Sequence, residues 1–540
     1  MQKEDCSLAE RFLHFISGWL TENRIPFLSS VFFGLLAYGF AFTNKLPNHD
    51  DVLYLFGKGA TADSGRWGLE LLRIIIPDYS LPWLHGVVSL LLLSVAICFI
   101  LKVFQLRSIL TRVLLPALII CFPSQIGTFC YMYTSSCYAV AFLLAVLAVW
   151  GVSRPGVPFK LFSVLCITLM LSIYQAYLSI TAGLMVLLLI RELLTAETEA
   201  GPGERTVSGH VFREGVLCLL LIAAALLLYL GSVRLYQHAS GAEYNAYSNE
   251  LRTYAPGFPK GIPVAYRMFV YNLTSRYNML LVSKTSRLMH FVALLAAGTG
   301  VLLHLLCKKK PLEIILLVFL ILMLPLCICG LYIVIYWAGI HTLVLFGYIA
   351  LYVLMFLVVE TLPKPPYGPI VRGMKDVLAV SLAVVVGINV CFSNRTFLKL
   401  HLAYENAYSL ATTLVTQLRS IPGYERNTPV ALYTSAGSAL RFADGFGDEE
   451  TLKQDIMGAQ FQLLTGYTEQ AFLEYYIGAD VNLVSHEQAD RMALQEECRE
   501  MPVYPDSGSI RMIDGTVFIK FEELPDGSGE PFVYHTTPFD

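Results

Sequence analysis

Two adjacent acids and a nearby arginine stand out near the beginning of the chain. The run Asn48-His49-Asp50-Asp51 directly follows the first long apolar segment, and the run Ser64-Gly65-Arg66-Trp67-Gly68 comes shortly after it. Charged side chains at the mouth of a membrane span are costly to keep there, so they are typical of functional sites. A carboxylate can accept the proton of an attacking hydroxyl, and a guanidinium suits a phosphate. The segment therefore indicates acid–base chemistry beside an anion site.

The acids also have a structural interpretation. Asp50 can cap a short helix that runs from Asp51 to Phe56 and is ended by Gly57. Helix caps are common, and a capping aspartate can still serve as a general base. Both interpretations therefore stay open for this pair.

The segment from Arg66 to Pro77 is predicted to be a helix. At helical spacing Arg66, Glu70 and Arg73 form one polar stripe, with Trp67 on the apolar side. Such a helix would lie flat in the membrane interface, with Trp67 at headgroup level. Its alternative role is to bring Arg66 to the phosphate of a lipid.

Other polar groups fall near the same membrane face. Tyr174 and Gln175 separate two short apolar runs, where they could bind a sugar or satisfy the backbone of a tight helical hairpin. The cluster Tyr131, Tyr133 and Tyr138 is more typical of an aromatic belt. The loop 235–287 contains seven tyrosines and several basic residues, among them Arg267, Arg276 and Lys284. The basic residues could bind lipid phosphate, but the same composition is also typical of an ordinary interfacial segment.

The elements that position these residues follow from composition. The chain has 540 residues, of which 56% are hydrophobic and 15% charged, against about 25% charged residues in soluble domains. It is therefore predicted to be an integral membrane protein. Its formal net charge of -3 gives no support for nucleic-acid binding.

Apolar runs long enough to cross a bilayer, at about 20 residues each, predict the membrane topology. We expect about eleven spans, the two shortest being 108–123 and 159–175. They lie at 26–44, 84–106, 108–123, 131–150, 159–175, 176–193, 213–234, 288–307, 311–330, 341–360 and 375–393. Inner loops at 102–112 and 364–375 contain both lysine and arginine, and the inner loop 308–310 consists of three lysines, whereas the outer loops at 124–130 and 331–340 contain neither residue type. This alternation predicts a cytoplasmic amino terminus and an extracytoplasmic carboxyl terminus.

The composition changes after the last predicted span. Residues 394–540 are polar and predict a small α/β domain outside the membrane, beside a transmembrane domain at 1–393. We expect helices at 404–420, 451–476 and 486–498, and strands at 429–433 and 481–484. The pair Asp514-Gly515 between apolar runs at 510–513 and 516–521 predicts a hairpin.

Taken together, these pieces resemble the bacterial and phage membrane glucosyltransferases that modify O-antigen, a GT-C-type family. The resemblance rests on Asp50-Asp51 followed by Gly65-Arg66-Trp67, and on Ser172-Ile173-Tyr174-Gln175-Ala176 at mid-chain. Its third part is Met501-Pro502-Val503-Tyr504-Pro505 leading to Gly508-Ser509-Ile510. It implies a GT-C-like polytopic α-helical fold in a bacterial cytoplasmic (inner) membrane.

The resemblance also implies a reaction. In this family a hexose, expected to be glucose, passes from a polyprenyl-phosphate donor to a hydroxyl of a surface polysaccharide or lipid-linked glycan, with inversion. Asp50 would be the general base and Asp51 its partner or an acceptor-binding group, while Arg66 and Arg276 would bind the donor phosphate. The sugar and acceptor contacts would be Asn48, His49, Trp67, Tyr174 and Gln175. A flippase and a donor-lipid synthase would act in the same pathway.

A lipid phosphate is an acceptable leaving group, so catalysis needs deprotonation and charge stabilisation. No metal site and no cofactor are predicted, although adjacent carboxylates could hold a divalent metal. Two other functions stay open. A lipid-linked-sugar flippase or transporter usually has repeats and ionisable mid-membrane residues, and neither is visible here. A glycan polymerase or ligase of envelope biogenesis would rely on large basic loops, and the loop 235–287 keeps that alternative open.

Overall fold

The computed structural model describes residues 7–57, 59, 61–77, 79–196, 207–243, 259–274, 280–334, 342–434, 456, 458–459 and 463–523. By its internal contacts the chain divides into two compact units. The first comprises Met1–Lys45 and Phe56–Thr396, and the second comprises Leu46–Leu55 and Phe397–Asp540. The ten residues around the acidic pair therefore fold with the carboxyl-terminal part of the chain.

The first unit is helical throughout its described residues. Its α-helices are Leu8–Thr43, Trp67–Leu72, Pro82–Phe104, Ile109–Ile120, Pro123–Cys130, Met132–Val152, Val157–Ile173, Leu178–Thr195, Val207–Ser240, Gly261–Thr274, Lys284–Cys307, Pro311–Ile328, Leu331–Val334, Ile349–Thr361 and the beginning of Lys364–Arg419. Short 3₁₀ turns occur at Ala62–Ser64, Gln175–Tyr177, Thr342–Val344 and Phe346–Tyr348.

Eight helices of the described residues are long and apolar enough to cross a membrane. A ninth span results if the helices Ile109–Ile120 and Pro123–Cys130, which meet at a bend of 44°, are counted together. Two more apolar helices, Val157–Ile173 and Phe346–Thr361, are shorter. The predicted spans at 108–123, 159–175 and 341–360 coincide with the bent and short helices, and the other eight coincide with the long ones. The polytopic helical class is confirmed, and the count of eleven stays a prediction.

Small residues let these helices approach closely. The helix Pro82–Phe104 packs against both Leu8–Thr43 and Met132–Val152. A side chain at Gly86 would collide with the buried ring of Phe42, and one at Gly34 would collide with Leu90. In lipid, where helices gain little from the hydrophobic effect, association depends on such close packing.

The second unit contains a three-stranded sheet. Its strands are β1 (Val430–Tyr433), β2 (Ile510–Ile513) and β3 (Thr516–Lys520), in the order β1-β3-β2. β1 pairs parallel with β3, and β2 pairs antiparallel with β3 through the turn Asp514-Gly515. Both turn residues have positive φ, 48° and 78°, as the two-residue hairpin turn of this type requires. The predicted hairpin and the strand at 429–433 are confirmed.

The sheet has an apolar cluster on each face because alternate side chains of a strand point to opposite sides. One cluster joins Val430 and Val517 to the end of the helix Lys364–Arg419 through residues such as Leu414. The other joins Ala431 and Phe518 to the helix His486–Ala493 and its continuation. The predicted helix at 404–420 is confirmed as the end of this longer helix.

Three local predictions for this unit are wrong within its described residues. The predicted helix 451–476 is not helical at 463–468. Instead, Thr468 Oγ1 donates to the Leu463 carbonyl at 2.7 Å and accepts from the Thr465 amide at 2.8 Å. Such hydroxyl bonds compete with helix formation, so a short α-helix, Glu469–Phe472, begins only afterwards and continues as the π-helix Leu473–Ile477.

The other two differences are smaller. The predicted strand 481–484 is reduced to one bridge between Val430 and Leu483. The predicted helix 486–498 divides into His486–Ala493 and Glu496–Arg499, because Gln495 is extended and begins the second of them.

Candidate functional site

The arginine-containing loop of the first unit is fixed by its own backbone. The 3₁₀ turn Ala62–Ser64 leads into Gly65, whose φ of 70° is in the left-handed region that favours glycine. The Arg66 amide then donates to the Thr61 carbonyl at 2.7 Å. This tight turn directs Arg66 away from the preceding segment and starts the helix Trp67–Leu72.

Two motifs that are distant in sequence meet at this loop. Gln175 Nε2 donates to the Ser64 carbonyl at 3.2 Å and to the Tyr229 hydroxyl at 2.8 Å. The Tyr229 hydroxyl in turn donates to the Gly65 carbonyl at 3.2 Å. Gly68 lies so close to Ser172 that any side chain there would collide with it. The glycines of the first motif therefore allow direct contact with the mid-chain motif Ser172–Gln175.

The Arg66 guanidinium lies among tyrosine rings. Its central carbon is 5.3 Å from the centroid of the Tyr174 ring, and Nη1 donates to the Tyr138 hydroxyl at 3.4 Å. The rings of Tyr138 and Tyr174 stack with centroids 4.5 Å apart. The Nε atom is buried and has no hydrogen-bond partner, and no acid of the described residues forms an ion pair with Arg66. A largely buried cation without a carboxylate partner is suited to an anionic ligand.

The predicted polar stripe is wrong in its geometry. Arg66 is the residue before the helix Trp67–Leu72, not part of it. Glu70 and Arg73 do pair, at 2.8 Å, on an exposed side, whereas Arg66 contacts Tyr138 and Tyr174. The indole of Trp67 donates to Ser232 Oγ at 3.0 Å, so its polar edge bonds to the protein.

The acidic pair belongs to a short helix of the second unit, His49–Leu53. Asn48 caps this helix, because its Oδ1 accepts from the Asp51 amide at 2.8 Å. The predicted capping role of Asp50 is therefore wrong, and both acids occupy the first turn instead. Carboxylates are favoured there by the helix dipole. Val52, on the same helix, is fully buried in the core of the second unit with Leu414 and Leu473.

The two acids differ in exposure. Asp51 is 1% exposed. It lies near the phenol of Tyr476, whose pKa is raised mainly by burial and to a smaller extent by the charge of Asp51. The side chain of Asp50 is 33% exposed, and its Oδ1 lies 3.6 Å from His49 Nε2. A general base must reach the substrate hydroxyl, so Asp50 has the more suitable position.

Within the first unit, the structure places four predicted site residues close to one another: Arg66, Trp67, Tyr174 and Gln175. Within the second unit, the neighbouring residues Asn48, His49, Asp50 and Asp51 form a separate group. Arg276 lies outside the described residues. The roles given to these residues stay predictions.

Sequence reasoning missed part of the arginine site. Tyr138 was interpreted as an aromatic-belt residue, but it is 5% exposed and stacks on Tyr174. Tyr229 was not singled out, because a lone tyrosine in an apolar span has no local signal. Only its contact with Gly65 and Gln175 identifies it.

Among the described residues, no group of three histidine, cysteine, aspartate or glutamate side chains is placed to hold a metal ion. The acidic pair contributes two carboxylates, and the arginine site contributes a cation without a carboxylate partner among the described residues.

Comparison with known proteins identifies the family. The family model described as Glucosyl transferase GtrII matches residues 39–359, more than half of the chain. The match includes both runs near the amino terminus and the motif Ser172–Gln175, whereas the stretch 501–510 lies beyond it. No curated protein and no solved structure matches the chain. The protein is a mostly helical, multi-pass membrane protein, and it belongs to the glucosyl transferase GtrII family, which implies glucosyltransferase activity.

Proposed function

We propose that this protein transfers glucose from a polyprenyl-phosphate donor to a hydroxyl of a cell-surface glycan, on the outer face of a bacterial cytoplasmic membrane. The acceptor oxygen attacks C1 of the hexose while the bond from C1 to the phosphate oxygen breaks, so the anomeric configuration inverts. Asp50 takes the acceptor proton, and the lipid phosphate leaves with the bonding electrons. Atoms and charge balance without a further reactant.

The observation that carries the proposal is the environment of Arg66. Its Nε is buried without a partner, and no acid of the described chain pairs with it. Burying a charge without compensation is expensive, and a phosphate supplies the missing anion with geometry that the guanidinium fork matches. Charge grows on that phosphate as the bond to C1 breaks, so the same contact stabilises the transition state.

Residues around Arg66 support a lipid-linked sugar as donor. Tyr174 and Gln175 line the loop that carries Arg66, and Trp67 is anchored to Ser232 beside it. Aromatic rings and an amide are groups that bind sugars well, through ring contact and hydroxyl hydrogen bonds. In the proposed reaction these side chains contact the hexose, and Arg276 gives a second phosphate contact.

The experiment is glucose transfer in membranes supplied with radiolabelled polyprenyl-phosphate glucose. We expect Arg66→Gln to lower transfer by about two orders of magnitude, because an electrostatic contact to the leaving group is lost. The matched control is Arg73→Gln, which removes an exposed arginine of the same loop that pairs with Glu70 and should retain transfer.

Two results would overturn the proposal. Equal transfer by Arg66→Gln and Arg73→Gln would remove Arg66 from the reaction. Movement of the donor lipid across vesicle membranes without any transfer would favour a flippase instead. Extension of the glycan by whole repeat units, in place of single glucose additions, would favour a polymerase.

A further inference from the structure

We propose that Tyr467, Asn48 and Asp50 form the subsite for the acceptor sugar, and that this subsite takes a neutral pyranose ring. The inference rests on the proposed function and assigns a specific site to the second unit. All three residues belong to that unit.

Tyr467 supplies an aromatic surface beside the acidic helix. Its side chain is 51% exposed, although large aromatic residues are usually more buried. Its ring packs edge-to-face against His49, with centroids 5.6 Å apart. The turn that carries it is fixed by the Thr468 hydroxyl bonds to Leu463 and Thr465. An exposed ring on a fixed turn can receive the C–H face of a sugar.

Tyr467 and Asp50 are close enough to interact electrostatically. Burial raises the pKa of the Tyr467 phenol, and the charge of Asp50 raises that pKa further. A base must lie within hydrogen-bond distance of the hydroxyl that it deprotonates. The sugar bearing that hydroxyl therefore contacts Asp50, and Tyr467 is the exposed ring next to it. Because Tyr467 lies beside the proposed base, the sugar that it contacts is the acceptor and not the donor.

Unused hydrogen-bonding capacity supports a polar ligand at the same place. Asn48 is 2% exposed, and its Oδ1 caps the helix, but its Nδ2 has no partner among the described residues. Within the same part of the chain, the buried hydroxyl of Tyr476, a residue whose phenol pKa is raised partly by the charge of Asp51, also lacks a partner. A buried donor left unpaired destabilises the folded protein. A sugar hydroxyl or a bound water would satisfy it.

The carboxylate of Asp50 also selects the type of sugar. Its negative charge acts on Tyr467 and repels a carboxylate on the ligand. A neutral sugar avoids that repulsion and still offers hydroxyl groups to Asp50 and Asn48. The subsite should therefore discriminate against uronic acids.

The kinetic test uses the full-length protein in nanodiscs, with graded concentrations of glycan extracted from the native membrane. Tyr467→Ala should raise the KM for the acceptor about three- to tenfold, as expected for loss of one aromatic contact, and leave the KM for the donor unchanged. Tyr467→Phe, which keeps the ring, should stay within about twofold of the wild type. Tyr475→Ala, at another exposed tyrosine of this unit, is the matched control and should have no effect.

A binding experiment without donor separates this inference from the proposed function. Saturation-transfer NMR on the wild type should detect contact with neutral methyl glycosides (glucoside, galactoside and rhamnoside), and a weaker signal with methyl glucuronoside. Tyr467→Ala should lose the neutral signal while keeping the wild-type melting temperature. If the wild type transfers no glucose but these signals are present, the proposed function fails and the subsite stands.

Several outcomes would overturn the subsite. One is an active Tyr467→Ala variant whose KM for the acceptor is unchanged, or whose KM for the donor is raised while that for the acceptor is not. Another is an equal rise of the acceptor KM in Tyr467→Phe and Tyr467→Ala. Equal signals from methyl glucoside and methyl glucuronoside, or no signal from any neutral glycoside, would also contradict it.

Discussion

The arginine site and the acidic helix are built in different ways. Arg66 lies between Gly65, which is close to Tyr229, and Gly68, which is close to Ser172, among rings buried by long helices. The acidic residues lie on a five-residue helix, His49–Leu53, with one cap and one buried apolar anchor, Val52. A helix of that length is unstable alone, so its position depends on the core beneath it. The arginine site is therefore preorganised by close backbone packing, whereas the acidic helix depends on packing against a separate core.

The largest expected effect tests the base. Asp50→Asn should lower transfer by about 10²–10⁴-fold, because the acceptor proton loses its general base. The KM for the donor should stay unchanged, since Arg66 is intact. Transfer of radiolabelled glucose by purified protein measures both. Asp480→Asn, at an exposed acid that pairs with Arg426, is the control; wild-type activity of Asp50→Asn would exclude Asp50 as the base.

The next effect tests the close packing at the arginine site. Gly68→Val should collide with Ser172 and displace the loop that carries Arg66. Overpacking of this kind costs about 1–3 kcal/mol, so donor binding should weaken by about five- to a hundredfold. Donor titration measures the change. A Cβ added at Gly39 would meet no atom within 4 Å beyond the neighbouring backbone of its own helix, so Gly39→Val should bind donor normally; equal behaviour of the two variants would contradict a packed, preorganised site.

A third effect concerns the core on which the acidic helix depends. Glu469 is buried there, and burial raises its pKa to about 7, while His486 opposes the change. In the unfolded chain the Glu469 carboxyl ionises near its ordinary pKa of 4.5, whereas in the folded protein it keeps its proton up to about pH 7. The free energy of unfolding therefore decreases as pH rises between these two values. Glu469→Gln removes this loss. Its apparent Tm should exceed that of the wild type by several degrees at pH 8 and by little at pH 5.

Thermal unfolding in nanodiscs at the two pH values measures this difference. Glu474→Gln, an exposed acid on the following π-helix, serves as the control and should show no pH-dependent gain. The same gain at both pH values would mean that the Glu469 carboxyl is not held protonated by burial.

The smallest effect tests a single contact of the cation. Tyr138→Phe removes the 3.4 Å hydrogen bond to Arg66 Nη1 and keeps the ring that stacks on Tyr174. Loss of one hydrogen bond to a charged group costs about 1.5 kcal/mol, so donor affinity should fall about tenfold or less. Direct donor titration is the measurement. A loss as large as that of Gly68→Val would mean that the hydroxyl, not the packing, positions Arg66.

Local rules in the sequence predicted much of the fold. Turn chemistry at Asp514-Gly515 gave the hairpin, and apolar runs coincide with the membrane helices. Both depend on residues that are neighbours in the chain. The same local rules failed at Thr468, whose hydroxyl bonds replace a helix, and at Asn48, which caps the helix assigned to Asp50.

The candidate site was only partly accessible to sequence reasoning. The run Ser64–Gly68 and the motif Ser172–Gln175 were singled out separately, each from its residue types. Their contact through Gln175 and Gly68 depends on how distant helices pack, which no local pattern encodes. The burial of Val52 with Leu414 and Leu473 is likewise a long-range contact, so the association of the acidic helix with the carboxyl-terminal unit was not foreseen.

That association has a consequence for the synthesis of the protein. The ribosome makes residues 46–55 early, but their packing partners begin at residue 397, after almost all of the membrane helices. At about 5–20 residues per second, the acidic helix waits tens of seconds before it has a core to dock on. A nascent or truncated chain can insert its membrane helices while the acidic helix still lacks its core, so under the proposed function we expect the protein to stay inactive until its last strand has folded.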